Sequence, residues 1–347
     1  MENMVTMNKD FWLNKKVLIT GHTGFKGSWL LVWLNMLGAD VYGLSLSTLP
    51  GKSLFTEITK KNTLSKDFFI DIRNIEKLKI SINEINPDIV FHLAAQPLVR
   101  DSYKNPLETW STNLMGSLNV LESLSVINNH CAVIMVTTDK VYKNMEWEYG
   151  YRENDQLGGY DPYSASKAAT EIALSSWRDS FCGFDKKGSN LLIASARSGN
   201  VIGGGDWAKD RIFPDVIRSL ENGNEIFIRN PKSKRPWQHV LDPLAGYILL
   251  AEKLYKSNNS LSKDSDNIFT SAFNFGPNIS SNKTVNFLVN EIIKHWPGNI
   301  KKKSGCDRYS PADRMAIFPA TNWSVGTADV FNMVWRRWRK STSNVRY

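Results

Sequence analysis

The sequence predicts an α/β protein: a doubly wound parallel sheet with a smaller substrate-binding region toward the C-terminus. Three observations predict it. Short apolar runs alternate with helical patterns through the N-terminal half, and a glycine-spaced turn follows the first run. After about Val201 the chain becomes loop-rich, with Gly203-Gly204-Gly205, Pro214, Pro231, Pro236 and Pro243.

Lys16-Val17-Leu18-Ile19-Thr20 is a short apolar run ending in glycines, the pattern of a strand buried on both faces. Ser28 to Leu37 follows as a helix, with Gly38 placed to cap its C-terminus. Val41 to Leu46 reads as a second strand, Phe68 to Asp71 as a third, Ile89 to Leu93 as a fourth and Ala132 to Val136 as a fifth. Helical patterns lie between them, notably Thr112 to Val126 and Ser164 to Phe181, and Leu191 to Ser195 is a further strand. In such a sheet, ligands bind at the carboxyl ends of the strands. The motifs below fall just after a predicted strand or on the helix that follows one.

The 347 residues allow one large or two closely joined domains. We expect a nucleotide-binding unit over 11–200 with a returning segment near 236–275. A substrate-binding region over 201–303 and an atypical tail over 304–347 complete the division. The formal charge of +9 comes from lysines scattered along the chain, without an arginine-rich block or nucleic-acid module, so no nucleic-acid partner is expected. Cys131, Cys182 and Cys306 are far apart and lack metal-ligand spacing, which predicts neither a disulfide framework nor a metal site. The N-terminal residues carry acids and no apolar run, and no stretch is apolar enough to span a bilayer; a cytoplasmic protein is expected.

Thr20-Gly21-His22-Thr23-Gly24-Phe25-Lys26-Gly27 spaces its glycines G-x-x-G-x-x-G between a strand and a helix. Glycine permits the tight turn and lets the backbone approach a pyrophosphate held at the helix N-terminus. A nucleotide-triphosphate loop would end in G-K-[ST], whereas Lys26 here precedes Gly27. The acidic residue expected after the second strand is replaced by Leu46-Ser47-Thr48, where Ser47 offers a weaker bond to a ribose hydroxyl. No arginine stands beside it for a 2′-phosphate, which favours NAD over NADP. Asp71-Ile72 either reaches the adenine or serves as a helix cap through Asp71.

Thr138-Asp139-Lys140 and Tyr163-Ser164-Ala165-Ser166-Lys167 are the chemical core of the sequence. Tyr163 and Lys167, four apart, share one face of a helix, from which Lys167 is expected to lower the tyrosine pKa from its ordinary ~10. The tyrosine then takes a proton from a substrate hydroxyl while hydride leaves the same carbon. Asp139 and Lys140 beside the hydroxyl of Thr138 imply that a further bond is broken afterwards.

With these motifs in place, the chain resembles the extended short-chain dehydrogenase/reductases, and within them the CDP-glucose 4,6-dehydratases. The segments carrying the resemblance are TGHTGFKGSWL (20–30), FHLAAQPLVRDSY (91–103), TTDKVY (137–142), GGYDPYSASK (158–167), RSGNVIGGGDWAKDRIFPD (197–215) and RPWQHVLDPLAGY (235–247). It runs from about Phe11 to Pro297. The resemblance implies a Rossmann-type sheet and NAD contacts at Gly21, Thr23, Gly24, Phe25, Lys26 and Gly27. It extends these contacts to Leu93, Ala94, Ala95, Gln96 and Asn113, and to Asn200 and Val201 near nicotinamide and sugar. Arg211 and Arg235 would bind the nucleotide diphosphate. Gln96, Asn200 and His239 would face the substrate, with Trp237 and His239 as pocket walls rather than catalysts.

The implied reaction oxidises C4 of the glucose unit, removes water across C5–C6 and returns hydride to C6, giving a 4-keto-6-deoxy sugar for surface-polysaccharide (O-antigen) synthesis. Asp139 would protonate the departing hydroxyl. Lys140 stands where relatives acting on other nucleotide sugars carry glutamate, and it either takes the C5 proton or orients another group. The same resemblance implies a homodimer or homotetramer built on helices such as 112–126 and 164–181. Other nucleotide sugars, a 4-epimerase, or an inactive binding module are the alternatives. Beyond about Lys303 the resemblance stops. Residues 1–303 contain 27 Lys and 9 Arg, whereas 304–347 contain 1 Lys and 6 Arg, a shift that fits either an out-of-frame tail or ordinary divergence.

Overall fold

A computed structural model describes residues 7–48, 51–59, 64–147, 149–182, 188, 190–257, 267–297 and 300–305. The expectations for the tail, including Cys306, concern residues outside this set.

Seven parallel strands form the central sheet: β1 (Lys16–Thr20), β2 (Asp40–Ser45), β3 (Lys66–Phe69), β4 (Ile89–His92), β5 (Cys131–Val136), β6 (Leu191–Ser198) and, returning late in the chain, β11 (Ala272–Phe275). Their order is β3-β2-β1-β4-β5-β6-β11, so the chain reverses direction across the sheet between β1 and β4. A crevice opens at such a point, beyond the carboxyl ends of the two strands. This is a Rossmann-type sheet.

β1, β4, β5 and β6 are buried on both faces, which explains why they read as continuous apolar runs rather than alternating ones. One face packs on Leu30, Leu31, Leu34, Leu244, Ile248 and Ala251, drawn from the helices Phe25–Leu37 and Leu241–Ser257. The other packs on Leu78, Ile82, Val120, Leu121 and Leu174. Gly38 ends the first of these helices in the left-handed conformation at φ 88°, a cost-free geometry for glycine.

Two elements differ from expectation. The helix expected over 112–126 begins as a π-helical turn, Ser111–Met115, before Gly116–Leu124 continues as α-helix. Single π turns recur at functional sites because they rotate one side chain out of α-register, and here the turn carries Asn113. The cap of the helix Ile75–Ile85 is Asn74, not Asp71.

A second, smaller core lies away from the sheet. Ile202, Val216, Leu220, Ile226, Ile228, Leu288, Val289 and Ile292 form it, from the helices Ile212–Glu221 and Val285–Lys294 and from short strands. Among those strands, β7 (Val201–Ile202) pairs with β10 (Gln238–His239), β8 (Ile226–Ile228) with β13 (Lys302–Ser304), and β9 (Lys234–Pro236) with β12 (Asn282–Thr284). The β7–β10 pair sets Val201 opposite Gln238 and Ile202 opposite His239.

Candidate active site

The glycine loop crosses the carboxyl end of β1 at the sheet's reversal point. Gly21 (φ 75°) lies so close to the end of β4 that a Cβ there would stand 2.7 Å from the Ala94 nitrogen. A Cβ on Gly27 would lie 2.2 Å from the Gly21 carbonyl oxygen, so only glycine lets the helix start this near the loop. Gly24 caps that helix without a side-chain bond, leaving first-turn amides for an anion. A bare loop, a capless helix start and a crevice beyond it fit the pyrophosphate of a dinucleotide.

Around the loop, the expected cofactor residues fall into two sets. Leu93, Ala94, Ala95 and Gln96 follow β4 and are half-buried. Asn113 is buried and ties this segment down: its Oδ1 accepts from the Gln96 amide at 2.8 Å, and its Nδ2 donates to the Gln96 carbonyl and to Ser166 Oγ. Ser47 lies just past β2 and is exposed, while Thr23 pairs with Ser45 at 3.0 Å. Asp71 is held by Arg73, whose guanidinium lowers the carboxyl pKa, and the neighbouring Ile72 is buried against Gly116. Phe25 packs against the core beneath the loop.

Lys26 departs most from expectation. Its side chain turns inward, Nζ lying 2.6 Å from Ser198 Oγ and 3.4 Å from the Tyr247 hydroxyl. Tyr247 in turn donates to Ser198 at 2.7 Å. Burial, then the positive charge of Arg211, brings the lysine pKa down to about 7, with Asp139 opposing and Lys140 and Lys167 contributing. A residue given as an NAD contact thus bonds Ser198 and Tyr247 within the site. Ser198 and Tyr247 were not singled out in the sequence, because neither belongs to a spacing motif.

Thr138, Asp139 and Lys140 sit just past β5. Thr138 caps the short turn Asp139–Val141, accepting from the Lys140 amide, while its own hydroxyl donates to Asp139 Oδ1 at 3.0 Å. Lys140 Nζ lies 3.8 Å from the same oxygen. Gly199 backs this carboxylate: a Cβ there would meet Asp139 Oδ2 at 2.8 Å. Opposite stands the helix Pro162–Phe181, started by Asp161, which accepts from the Ser164 amide and hydroxyl.

Tyr163, on the first turn of that helix, hydrogen-bonds Thr138. Burial raises the phenol to about 12; the Thr138 bond and the Arg211 charge act in the opposite direction. The Lys167 ammonium donates to the Val136 carbonyl at 3.3 Å, and the groups that lower Tyr163 are Thr138 and Arg211. Lys167 itself is brought down to about 8 by burial, against the pull of Glu171.

On the far wall, Arg211 pairs with Asp206 at 3.0 Å, and Arg235 lies on β9 with its guanidinium on the Lys234 carbonyl. His239 is buried and lowered to about 4 by that burial; its amide donates to Asp242 and its Nδ1 accepts from the Leu241 amide. A neutral, locally bonded ring is a wall rather than an acid. Trp237 donates to the Lys283 carbonyl at 3.0 Å and packs on the smaller core. Asn200 and Val201 lead from β6 toward this wall.

A Rossmann-type sheet with a bare glycine loop, and a hydroxyl-bridged tyrosine above a buried lysine, defines the short-chain dehydrogenase/reductase class. The family model for GDP-mannose 4,6 dehydratase matches residues 18–274. The chain belongs to that family. It is 50% identical over 293 residues to a CDP-glucose 4,6-dehydratase from Salmonella typhimurium, covering 84% of this chain and 79% of the relative. Among solved structures, it resembles a dTDP-glucose 4,6-dehydratase from Streptomyces venezuelae solved with NAD (TM-score 0.74, 20% identity, 93% of this chain and 97% of the other). It also resembles a UDP-glucose 4-epimerase from Thermotoga maritima (TM-score 0.73, 21% identity, 94% and 99%).

Proposed function

We propose that this chain is a nucleotide-sugar 4,6-dehydratase acting on CDP-glucose with bound NAD, giving CDP-4-dehydro-6-deoxyglucose. One observation carries the dehydratase reading over an epimerase. The threonine that meets Tyr163 also meets a buried carboxylate, Asp139, and an epimerase needs no such group. The choice of CDP-glucose rests on the 50% identical relative.

The residues then take these roles. Gly21, Gly24 and Gly27 hold the pyrophosphate; Thr23, Ser47 and Asp71 face the adenosine end; Leu93, Ala94, Ala95, Gln96 and Asn113 flank the cofactor. When bound, the dinucleotide supplies acceptance of the C4 hydride and its return at C6. Tyr163 takes the C4 hydroxyl proton while Thr138 bonds the same oxygen. Asp139 protonates the C6 hydroxyl as it leaves. Lys140 either takes the C5 proton or orients the group that does; Lys26, at about 7, is a second amine suited to a neutral-pH base. Arg211 and Arg235 bind the diphosphate, and Asn200 and His239 shape the sugar pocket.

In this reading 11–200 and 236–275 form the cofactor-binding unit and 201–303 the substrate-binding region. The exposed apolar side chains of Leu107, Met115 and Ile172 support subunit association through the helices around 106–124 and 162–181. A cytoplasmic enzyme of deoxysugar synthesis for surface polysaccharide is the corresponding cellular role. Among the described residues no helix is long and apolar enough to cross a membrane.

The test is direct. Purified protein with NAD is given CDP-, UDP-, dTDP- and GDP-sugars, and products are weighed by mass spectrometry. CDP-glucose should lose one water; a 4-epimer of unchanged mass would replace this reading with the epimerase one.

A further inference from the structure

This inference rests on the dehydratase reading and concerns the source of its acid. The reaction releases a proton from the C4 hydroxyl and consumes one at the departing C6 hydroxyl. The product keeps a carbonyl at C4, so the first proton never returns to its oxygen. Had Tyr163 begun as a phenolate and Asp139 as an acid, each turnover would leave the tyrosine protonated and the aspartate ionised. A separate step would have to reverse both.

The structure puts one hydroxyl between these groups. Thr138 Oγ1 donates to Asp139 Oδ1 at 3.0 Å, and Tyr163 hydrogen-bonds the same threonine. Thr138 and Asp139 are 5% and 2% exposed, which screens the carboxylate from bulk proton exchange. Burial holds Tyr163 at about 12, so it rests as a phenol at neutral pH. Asp139 Oδ1 already accepts the Thr138 hydroxyl proton in a hydrogen bond and lies 3.8 Å from Lys140 Nζ. The hydroxyl proton of Thr138 therefore already points along the path from the phenol to the Asp139 carboxyl.

We propose that the proton released from the C4 hydroxyl is relayed through Tyr163 and Thr138 to Asp139, and that this same equivalent leaves with the C6 hydroxyl as water. The transfers balance. Tyr163 receives the substrate proton and passes its phenolic proton to Thr138 Oγ1. Thr138 passes its hydroxyl proton to Asp139 Oδ1, and the carboxylic acid gives it to the leaving hydroxyl. The C4 hydride goes to the nicotinamide cofactor and returns at C6, while the C5 proton passes to the base at C5, Lys140 or the group it orients, and goes back to C5 as the hydride arrives. Phenol and carboxylate are restored at the end, with no proton drawn from solvent. Oxidation thereby arms the acid, so water leaves only after C4 has become a carbonyl. Asp139, Arg211 and Asp161 face Tyr163, Lys140 faces Asp139, Lys26 lies in the field of Asp139, and Tyr247 lies in that of both Tyr163 and Asp139.

The 6-deoxy analogue of CDP-glucose separates this from the usual division of labour, since it can be oxidised at C4 but has no hydroxyl to lose. NAD-loaded enzyme is mixed with the analogue, and reduced nicotinamide is followed by its near-ultraviolet absorbance across a pH series. Asp139→Asn and Thr138→Val should each slow this oxidation by about 100-fold at neutral pH. The deficit should shrink roughly tenfold per pH unit as hydroxide replaces the carboxylate, while Thr138→Ser, which keeps the hydroxyl, should recover most of the rate that Thr138→Val loses. Oxidation by Asp139→Asn at the wild-type rate at neutral pH overturns the relay, leaving Asp139 an acid only. Wild-type enzyme that dehydrates no nucleotide sugar overturns the dehydratase reading, and the relay with it.

Discussion

One helix, Pro162–Phe181, serves two polar clusters that could hardly be treated more differently. Tyr163, Lys167 and Glu171 stand four apart and so share a face. At the lower end Glu171 is closed: Oε1 accepts from Thr137, and Oε2 accepts from Ser195 and from Arg197, both at 2.7 Å. Arg197 also donates to Tyr142 and to the Glu153 carbonyl. At the upper end burial, with Arg211, Lys140 and Lys167 adding to it and Asp139 opposing, brings Lys26 down to about 7, and burial brings Lys167 down to about 8. A buried carboxylate with both oxygens bonded holds a structure together. Buried amines crowded by like charge store proton-transfer capacity, and sites of this type are where pKa values depart furthest from normal.

The contrast breaks cleanly under mutation if it is real. Tyr163→Phe removes one hydroxyl at the open end. Water loss should fall by about 10⁴-fold, close to 5.4 kcal/mol of barrier, while the melting temperature stays within a degree or two. Arg197→Leu acts at the closed end, leaving Glu171 buried without its cation. That should cost about 3–5 kcal/mol of folding stability, read by denaturant unfolding, while the folded fraction turns over at the wild-type rate. A Tyr163→Phe protein that lost stability instead, or an Arg197→Leu protein that stayed stable, would erase the distinction.

The two ends were not equally legible in the sequence. The sheet was, because β1, β4, β5 and β6 are buried on both faces and print continuous apolar runs. The glycine loop and the Tyr163–Lys167 pair were legible through spacing, which backbone geometry imposes locally. Side-chain direction was not. Lys26 follows Gly24 closely enough to suggest phosphate contact, yet partners 172 and 221 residues away draw its ammonium inward. Lys167 has the right spacing to act on Tyr163, and the bond of its ammonium to the Val136 carbonyl is not visible in that spacing. Asp71 fitted a helix cap until Asn74 was seen to fill it. Each surprise is a long-range choice between local options that the sequence leaves equal.

Lys26 also sharpens the comparison on the thermodynamic side, with the smallest effect. Its folded pKa of about 7 lies well below the ordinary 10.5, so between those values the unfolded chain binds more protons than the folded one. The burial penalty is therefore complete below about pH 7, declines as pH rises, and is gone above about pH 10.5. Lys26→Met removes the titration along with the bonds to Ser198 and Tyr247, whose loss is independent of pH in this range. Relative to wild type, the variant should gain most in melting temperature at pH 6 and lose that advantage steadily toward pH 10. A stability difference flat across the series would mean that Lys26 stays charged in the folded protein. The upper cluster would then be charge-paired like the lower one rather than poised to move protons.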